Sequence, residues 1–215
     1  MSYIGSKPAN KPVVGSDLDP TIITGQTAIG ATPADTDELI ISDAGVLKRM
    51  DYSHIKGGGK VLQVVHAEIT SEPSLSATTT YADIAGLNVT ITPAATSSKI
   101  LVTFDAGIVA NSSVTTCFIL ERAISGGATT VHGGHTSSSR PPAWVRAASI
   151  SDGNHDYGVH ATYLDSPSTT SAITYTVQWT SQGTAYLNRS TSYTDTTDVH
   201  AALTNSRVYA MEIGA

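Results

Sequence analysis

The run Lys99-Ile100-Leu101-Val102-Thr103-Phe104-Asp105-Ala106 places Ile100, Val102, Phe104 and Ala106 on one side of an extended chain. Apolar residues at every second position mark a strand with one buried face. Thr174-Tyr175-Thr176-Val177-Gln178-Trp179-Thr180 repeats the pattern through Tyr175, Val177 and Trp179. Outward from these two, further strands are predicted over residues 61–69, 87–92, 115–124, 128–132, 144–151, 158–164, 184–189 and 207–213. Turn chemistry at Pro93, Gly126-Gly127, Asp152-Gly153-Asn154 and Gln182-Gly183 separates them. The expected fold class is all-β: an antiparallel sandwich or jelly roll. Tyr81-Ala82-Asp83-Ile84-Ala85-Gly86 reads as a loop, because a β-branched run precedes it and Gly86 ends it. No repeat at a fixed period supports a solenoid or propeller.

The composition agrees. Of 215 residues, 40% are hydrophobic and only 14% charged, against roughly 25% charged in ordinary soluble proteins. Thirty Thr and 25 Ser supply the missing polarity. Hydroxyl and β-branched side chains disfavour helices and suit exposed strand faces. With a net charge of -6 and 12 Lys+Arg scattered along the chain, no basic stripe exists to neutralise phosphates, so no nucleic-acid partner is expected. Neither an export signal nor a run of roughly 18 apolar residues occurs, so no membrane insertion is expected. The single Cys117 lies within a strand-like run and reads as a small buried hydrophobe. The sequons at Asn88, Asn111 and Asn188 are what chance delivers in so hydroxyl-rich a chain.

Residues 1–56 differ in kind. They carry Pro8, Pro12, Pro20 and Pro33 but no sustained apolar period, so they read as an extended arm, able to reach on the order of 200 Å at ~3.3 Å per residue. One unit stands out, a hairpin over residues 38–50 with Asp43-Ala44-Gly45 as a three-residue connection. Leu39 and Ile41 face one side and Ile40 the other, so both sides are apolar and the hairpin needs partners, which copies of itself around a symmetry axis would supply. Gly57-Gly58-Gly59 is a flexible joint. The expected organisation is an arm over 1–56, a linker over 57–60 and a β domain over 61–215.

Catalytic signatures are weak. His132-Gly133-Gly134-His135, with His155, His160, Asp152 and Asp156 beyond, lacks the framework that makes zinc spacing specific, so no metal is assigned. There is no Gly-x-Ser-x-Gly elbow, phosphate loop or dinucleotide fingerprint, and the acids cluster in turn-like segments. No enzyme and no cofactor are expected. The loop-rich stretch 125–156 is the better place for binding, since rigid β scaffolds present ligands to loops. There Trp144 either stacks on a sugar or packs inside, while Arg140 and Arg146 suit a carboxylate. With His135 and Tyr157 they form the candidate receptor contacts.

The opening Ser2-Tyr3-Ile4-Gly5, the stretch from Asp37 to Tyr52, Tyr186-Leu187-Asn188-Arg189-Ser190 and the closing Ala210-Met211-Glu212-Ile213 resemble tail-fibre and virion-appendage proteins of tailed bacteriophages, marine ones especially. The resemblance covers roughly the first 56 and last 30 residues. It implies a homotrimer located in the virion, with a distal domain similar to the trimeric jelly rolls of tumour necrosis factor and complement globular heads. It further implies that the arm attaches to other virion proteins, with Tyr3, Ile4, Leu39, Ile40, Ile41, Val46 and Leu47 as anchoring and assembly residues, and that a host surface glycan or protein is a candidate receptor.

Overall fold

In the computed structural model, residues 27, 29–55, 61–111, 114–148, 157–191, 197 and 201–214 are described. Strands dominate them, and among them no helix is long and apolar enough to cross a membrane. The chain divides into two compact units, Met1–Gly57 and Gly58–Ala215.

In the first unit, β1 (Glu38–Asp43) and β2 (Val46–Asp51) pair antiparallel from Glu38↔Asp51 to Asp43↔Val46. A 3-10 turn, Tyr52–His54, follows. The expected hairpin is present with a different turn. Asp43 and Val46 still pair, leaving only Ala44 (φ 50°) and Gly45 (φ 83°) between the strands. Two positive φ values define the mirror-image type I′ turn, whose twist matches the strands' own right-handed twist, so the three-residue connection is corrected to two.

The second unit is a two-sheet sandwich. One sheet runs β3 (Val61–Ile69), β13 (Ser206–Ile213), β6 (Lys99–Asn111), β10 (Tyr157–Asp165), with β12 (Ala185–Leu187) bonded to the far end of β6 and to the short β4 (Ser74–Leu75). The other runs β5 (Thr78–Ile91), β11 (Ile173–Ser181), β7 (Thr116–Ile124), with β8 (Thr129–His132) and β9 (Val145–Ala147) sharing the far edge of β7. The pairs nest: β3 with β13, β5 with β11, β6 with β10, β7 with β8 and β9. They alternate between sheets and all are antiparallel. That is one long hairpin rolled up, the jelly-roll connection.

Alternation fills the space between the sheets. Ile100, Val102 and Phe104 of β6 and Val208 of β13 meet Phe118 and Leu120 of β7 and Tyr175 and Val177 of β11, all completely buried. Phe104 and Phe118 lie 5.3 Å apart at a 46° tilt, and Trp179 adds a contact at 6.4 Å to Phe118. Each such side chain contributes roughly 1.5–3 kcal/mol through burial.

Two further expectations are corrected. The segment 81–86 is strand, not loop: β5 runs through it because Thr176 pairs with Asn88 and Gln178 with Asp83, so Ile84, Ala85, Gly86 and Leu87 bulge opposite Val177. Gly86 (φ 85°) takes the left-handed turn while Ile84 and Leu87 both enter the core. Of 144–151, only Val145–Ala147 is strand among the described residues. Asn188, within a sequon, is buried and fully engaged: its Nδ2 donates to the Ile69 and Ser71 carbonyls and its Oδ1 accepts from Ser206.

Candidate functional site

The outer face of the β3-β13-β6-β10 sheet is built from the residues that alternate with the core. Register places them in rows. Val64 pairs with Met211, Met211 with Leu101 and Leu101 with Leu164, an apolar row across all four strands. Val64 is 53% exposed and Leu164 54%. Leu62, also exposed, and Ile213 extend it toward one end. The next row is His66, Tyr209, Thr103 and Thr162, with the His66 and Tyr209 rings stacked at 5.7 Å. The third is Glu68, Arg207, Asp105 and His160. Here Arg207 bridges Glu68 at 3.2 Å and His160 Nδ1 shares a 2.5 Å bond with Asp105. The Arg207 bond, helped by Asn205, holds the Glu68 carboxyl below the usual carboxylate range.

In the hairpin, Ile40 is 80% exposed, Leu39 and Val46 are exposed and Ile41 is half-buried. Apolar groups therefore stand on both sides, as the alternation requires. Leu47 pairs with Ser42 through its backbone. Tyr3 and Ile4 lie outside the described residues.

The five candidate receptor contacts separate. Trp144 packs against the core, its ring stacked on Phe104 at 6.3 Å and its Nε1 donating to the Thr162 carbonyl at 3.2 Å. This packing requires glycine at Gly133 (φ 85°), where a Cβ would lie 2.4 Å from Trp144 Cγ; a Cβ on Gly134 would instead lie 2.6 Å from the Ala143 nitrogen. His135 and Arg140 are exposed on the connection between β8 and β9, Arg146 is exposed on β9, and Tyr157 is half-buried at the start of β10. Among the described residues no hydrogen bond or ion pair joins these five.

His132 belongs to a polar network that sequence reasoning missed. Its Nε2 bonds Thr130 Oγ1 and its Nδ1 bonds the Tyr163 hydroxyl, both at 2.8 Å. Burial, followed by Arg122's charge, pushes its pKa down; with both nitrogens engaged and the Arg122 guanidinium nearby, it is poorly placed to ligate a cation. Among the described residues no three His, Cys, Asp or Glu gather as metal ligands. His155, Asp152 and Asp156 fall outside those residues. Alongside, Arg122 of β7 donates through one nitrogen to both oxygens of buried Asp165 on β10, at 2.8 and 3.0 Å, and Tyr175 of β11 donates to the same carboxylate at 2.6 Å. This ties the two sheets together. Burial and the bond to Asp165 raise the Tyr175 hydroxyl far above its usual range. The signal was available, since Asp165 is in phase with inward-facing Val159 and Ala161.

A cleft lies on the outer face of the other sheet. Register aligns Arg146, Cys117 and Thr180 across β9, β7 and β11. The β8–β9 connection reaches over them, held by the Tyr81 hydroxyl donating to the Pro142 carbonyl. The space is about 430 Å³, lined also by Thr78, Thr79, Thr115, Pro141, Ala143, Ser181 and Gln182. Cys117, expected to be buried, is half-exposed here, because its position alternates away from the core. Desolvation pushes its thiol up, opposed by Arg146, and desolvation pushes the Tyr81 hydroxyl up to about 12.

No protein-family model and no curated protein matches the chain. Among solved structures it is similar to one from the infectious bursal disease virus Gx strain, with 11% identity and a TM-score of 0.32 over 80% of this chain and 41% of that one. It is also similar to the VP2 subviral particle of infectious bursal disease virus, with 12% identity and a TM-score of 0.35 over 86% and 46%. The chain thus spans less than half the length of these neighbours. Overlap this loose identifies no shared surface.

Proposed function

We propose that this chain is a non-enzymatic structural protein of a tailed-phage virion, a short fibre or a tail or capsid appendage, that assembles as a homotrimer and attaches through residues 1–56. The observation that carries the assembly reading is the apolar row Val64, Met211, Leu101 and Leu164. Its arrangement also selects a symmetry. Rows across strands become layers along an axis parallel to the strands, and rotation about that axis keeps every layer at its own height. Apolar then meets apolar, ring meets ring, and the mixed-sign layer of Glu68, Arg207, Asp105 and His160 meets a copy of itself. A two-fold axis lying between two facing sheets and perpendicular to their strands would set the apolar layer on the charged one.

The sheet face alone is too small for a standard interface. Four strands by about seven residues cover roughly 400–500 Å² at ~4.8 Å between strands and ~3.3 Å per residue, short of about 800 Å² per partner in a standard interface. The doubly apolar hairpin adds a further place to join copies or virion partners. The virion assignment itself rests on the arm and terminal stretches that resemble phage appendage proteins.

Sedimentation of the full-length chain at micromolar concentration tests the assembly. Three times 22.3 kDa is expected, with Leu101→Glu folded and monomeric; a folded native monomer removes the proposal. Virions assembled with a chain lacking residues 1–56 are expected to lose this protein. A second reading, attachment to a host surface glycan or protein, has one observation in its favour: the hydroxyl-lined cleft beside Arg146.

A further inference from the structure

We propose that the cleft between β5, β7, β9, β11 and the β8–β9 connection binds carboxylate-bearing sugar units of an acidic polysaccharide. The inference deepens the host-attachment reading by naming a ligand class. It depends on neither trimer nor arm, because every lining residue lies between Thr78 and Gln182.

Three features of the wall select the ligand. Thr78, Thr79, Thr115, Thr180, Ser181 and Gln182 line it with hydroxyls and an amide, groups that both donate and accept, as a ligand bearing several hydroxyls requires. Some are engaged internally: Thr180 donates to the Thr78 carbonyl at 2.5 Å and Ser181 shares a bond with Thr116 at 3.1 Å. No such bond occupies the side chains of Thr79, Thr115 or Gln182 among the described residues. Pro141 and Ala143 supply an apolar patch for the C–H face of a sugar ring.

Charge supplies the third feature. Arg146 is exposed and, among the described residues, has no ion-pair partner, and no Asp or Glu lines the cleft. A guanidinium without a carboxylate, on a chain of net charge -6, is matched to a planar carboxylate that it can hold through two donors. The volume falls within the ~300–1,000 Å³ typical of small-ligand sites. A second, more open hollow lined by Ala77, Thr78, Thr79, Ser181 and Gln182 adjoins it. Two adjoining hollows fit consecutive units of a polymer better than a lone monosaccharide.

The test is calorimetric titration of the full-length protein with tetramers of galacturonic acid, hyaluronan and polysialic acid, each beside its carboxyl-reduced counterpart. Native protein is expected to bind at least one acidic tetramer about tenfold or more tighter than its reduced form, the scale of one charge-assisted hydrogen-bond pair. Arg146→Gln is expected to erase that preference and Arg146→Lys to keep part of it. Lys99→Gln, exposed on β6 of the other sheet, is expected to leave it intact. Alkylation of Cys117 offers a readout that needs no variant: bound tetramer is expected to slow it. Failure of all three tetramers, equal affinity for acidic and reduced forms, or unchanged preference in Arg146→Gln overturns the proposal. So does preferential binding of a peptide carboxy terminus, which would make the cleft a protein receptor site.

Discussion

Glu212 is a completely buried carboxylate on β13, in phase with core residues Val208 and Ala210. It survives there because donors surround it: Gln63 Nε2 at 2.6 Å and the Ala94 amide at 2.7 Å. Burial alone would raise its pKa, but these bonds together hold it below the usual carboxylate range. A group whose pKa is lower folded than unfolded binds more protons unfolded, so its stabilisation is present above the unfolded value and lost as pH falls through the folded one. Glu212→Gln is therefore expected to cost about 1–3 kcal/mol near pH 7 and to remove part of the fall in Tm below about pH 4.3. Thermal melts of both proteins from pH 7 to 3 check this, and identical acid limbs would refute it. Alternation could have flagged both Glu212 and Asp165 as inward-pointing acids. What it could not supply is the partner, because Gln63 and Ala94 lie 149 and 118 residues away along the chain.

At the scale of elements, strand positions were legible wherever one face is buried and the other wet, as in β3, β6, β11 and β13. Legibility failed at β5, where the period breaks. Ile84 and Leu87 are three apart yet both buried, because the bulge restores the inward direction through Gly86. A Cβ at Gly86 would lie 2.7 Å from Ile69 Cγ2, and φ of 85° is strained for any other residue. Gly86→Ala is expected to lower stability by about 1–3 kcal/mol, read as a lower urea midpoint at unchanged slope. Wild-type behaviour would mean that the bulge relaxes freely. The hairpin was legible for another reason: its turn and its two-sided apolar pattern are local, and only the turn type needed the observed φ values.

For the whole molecule, the question is which unit drives association. The β domain carries its own core and its own apolar outer face, whereas in the hairpin Leu39 and Ile40 are exposed. A chain starting at Gly58 is therefore expected to remain oligomeric at micromolar concentration, and to become monomeric on Met211→Lys. Sedimentation of the two proteins checks this. A monomeric truncated chain would instead assign assembly to residues 1–57, and with obligate assemblies stability would then track protomer concentration.

Sequence alone determined that this is an all-β chain with a two-faced hairpin and a period-two domain, because turn chemistry and side-chain alternation are set by neighbours in the chain. Only the tertiary structure decided what the outward positions do. Alternation states that Leu101 and Met211 face away from the core, but pairing register decides that they join Val64 and Leu164 in one row. In the other sheet, pairing of β7 with β9 sets Cys117 beside Arg146, contrary to its expected burial, and the β8–β9 connection lying over them makes a cleft. Register and loop placement follow from contacts between strands far apart in sequence, and no local pattern encodes them.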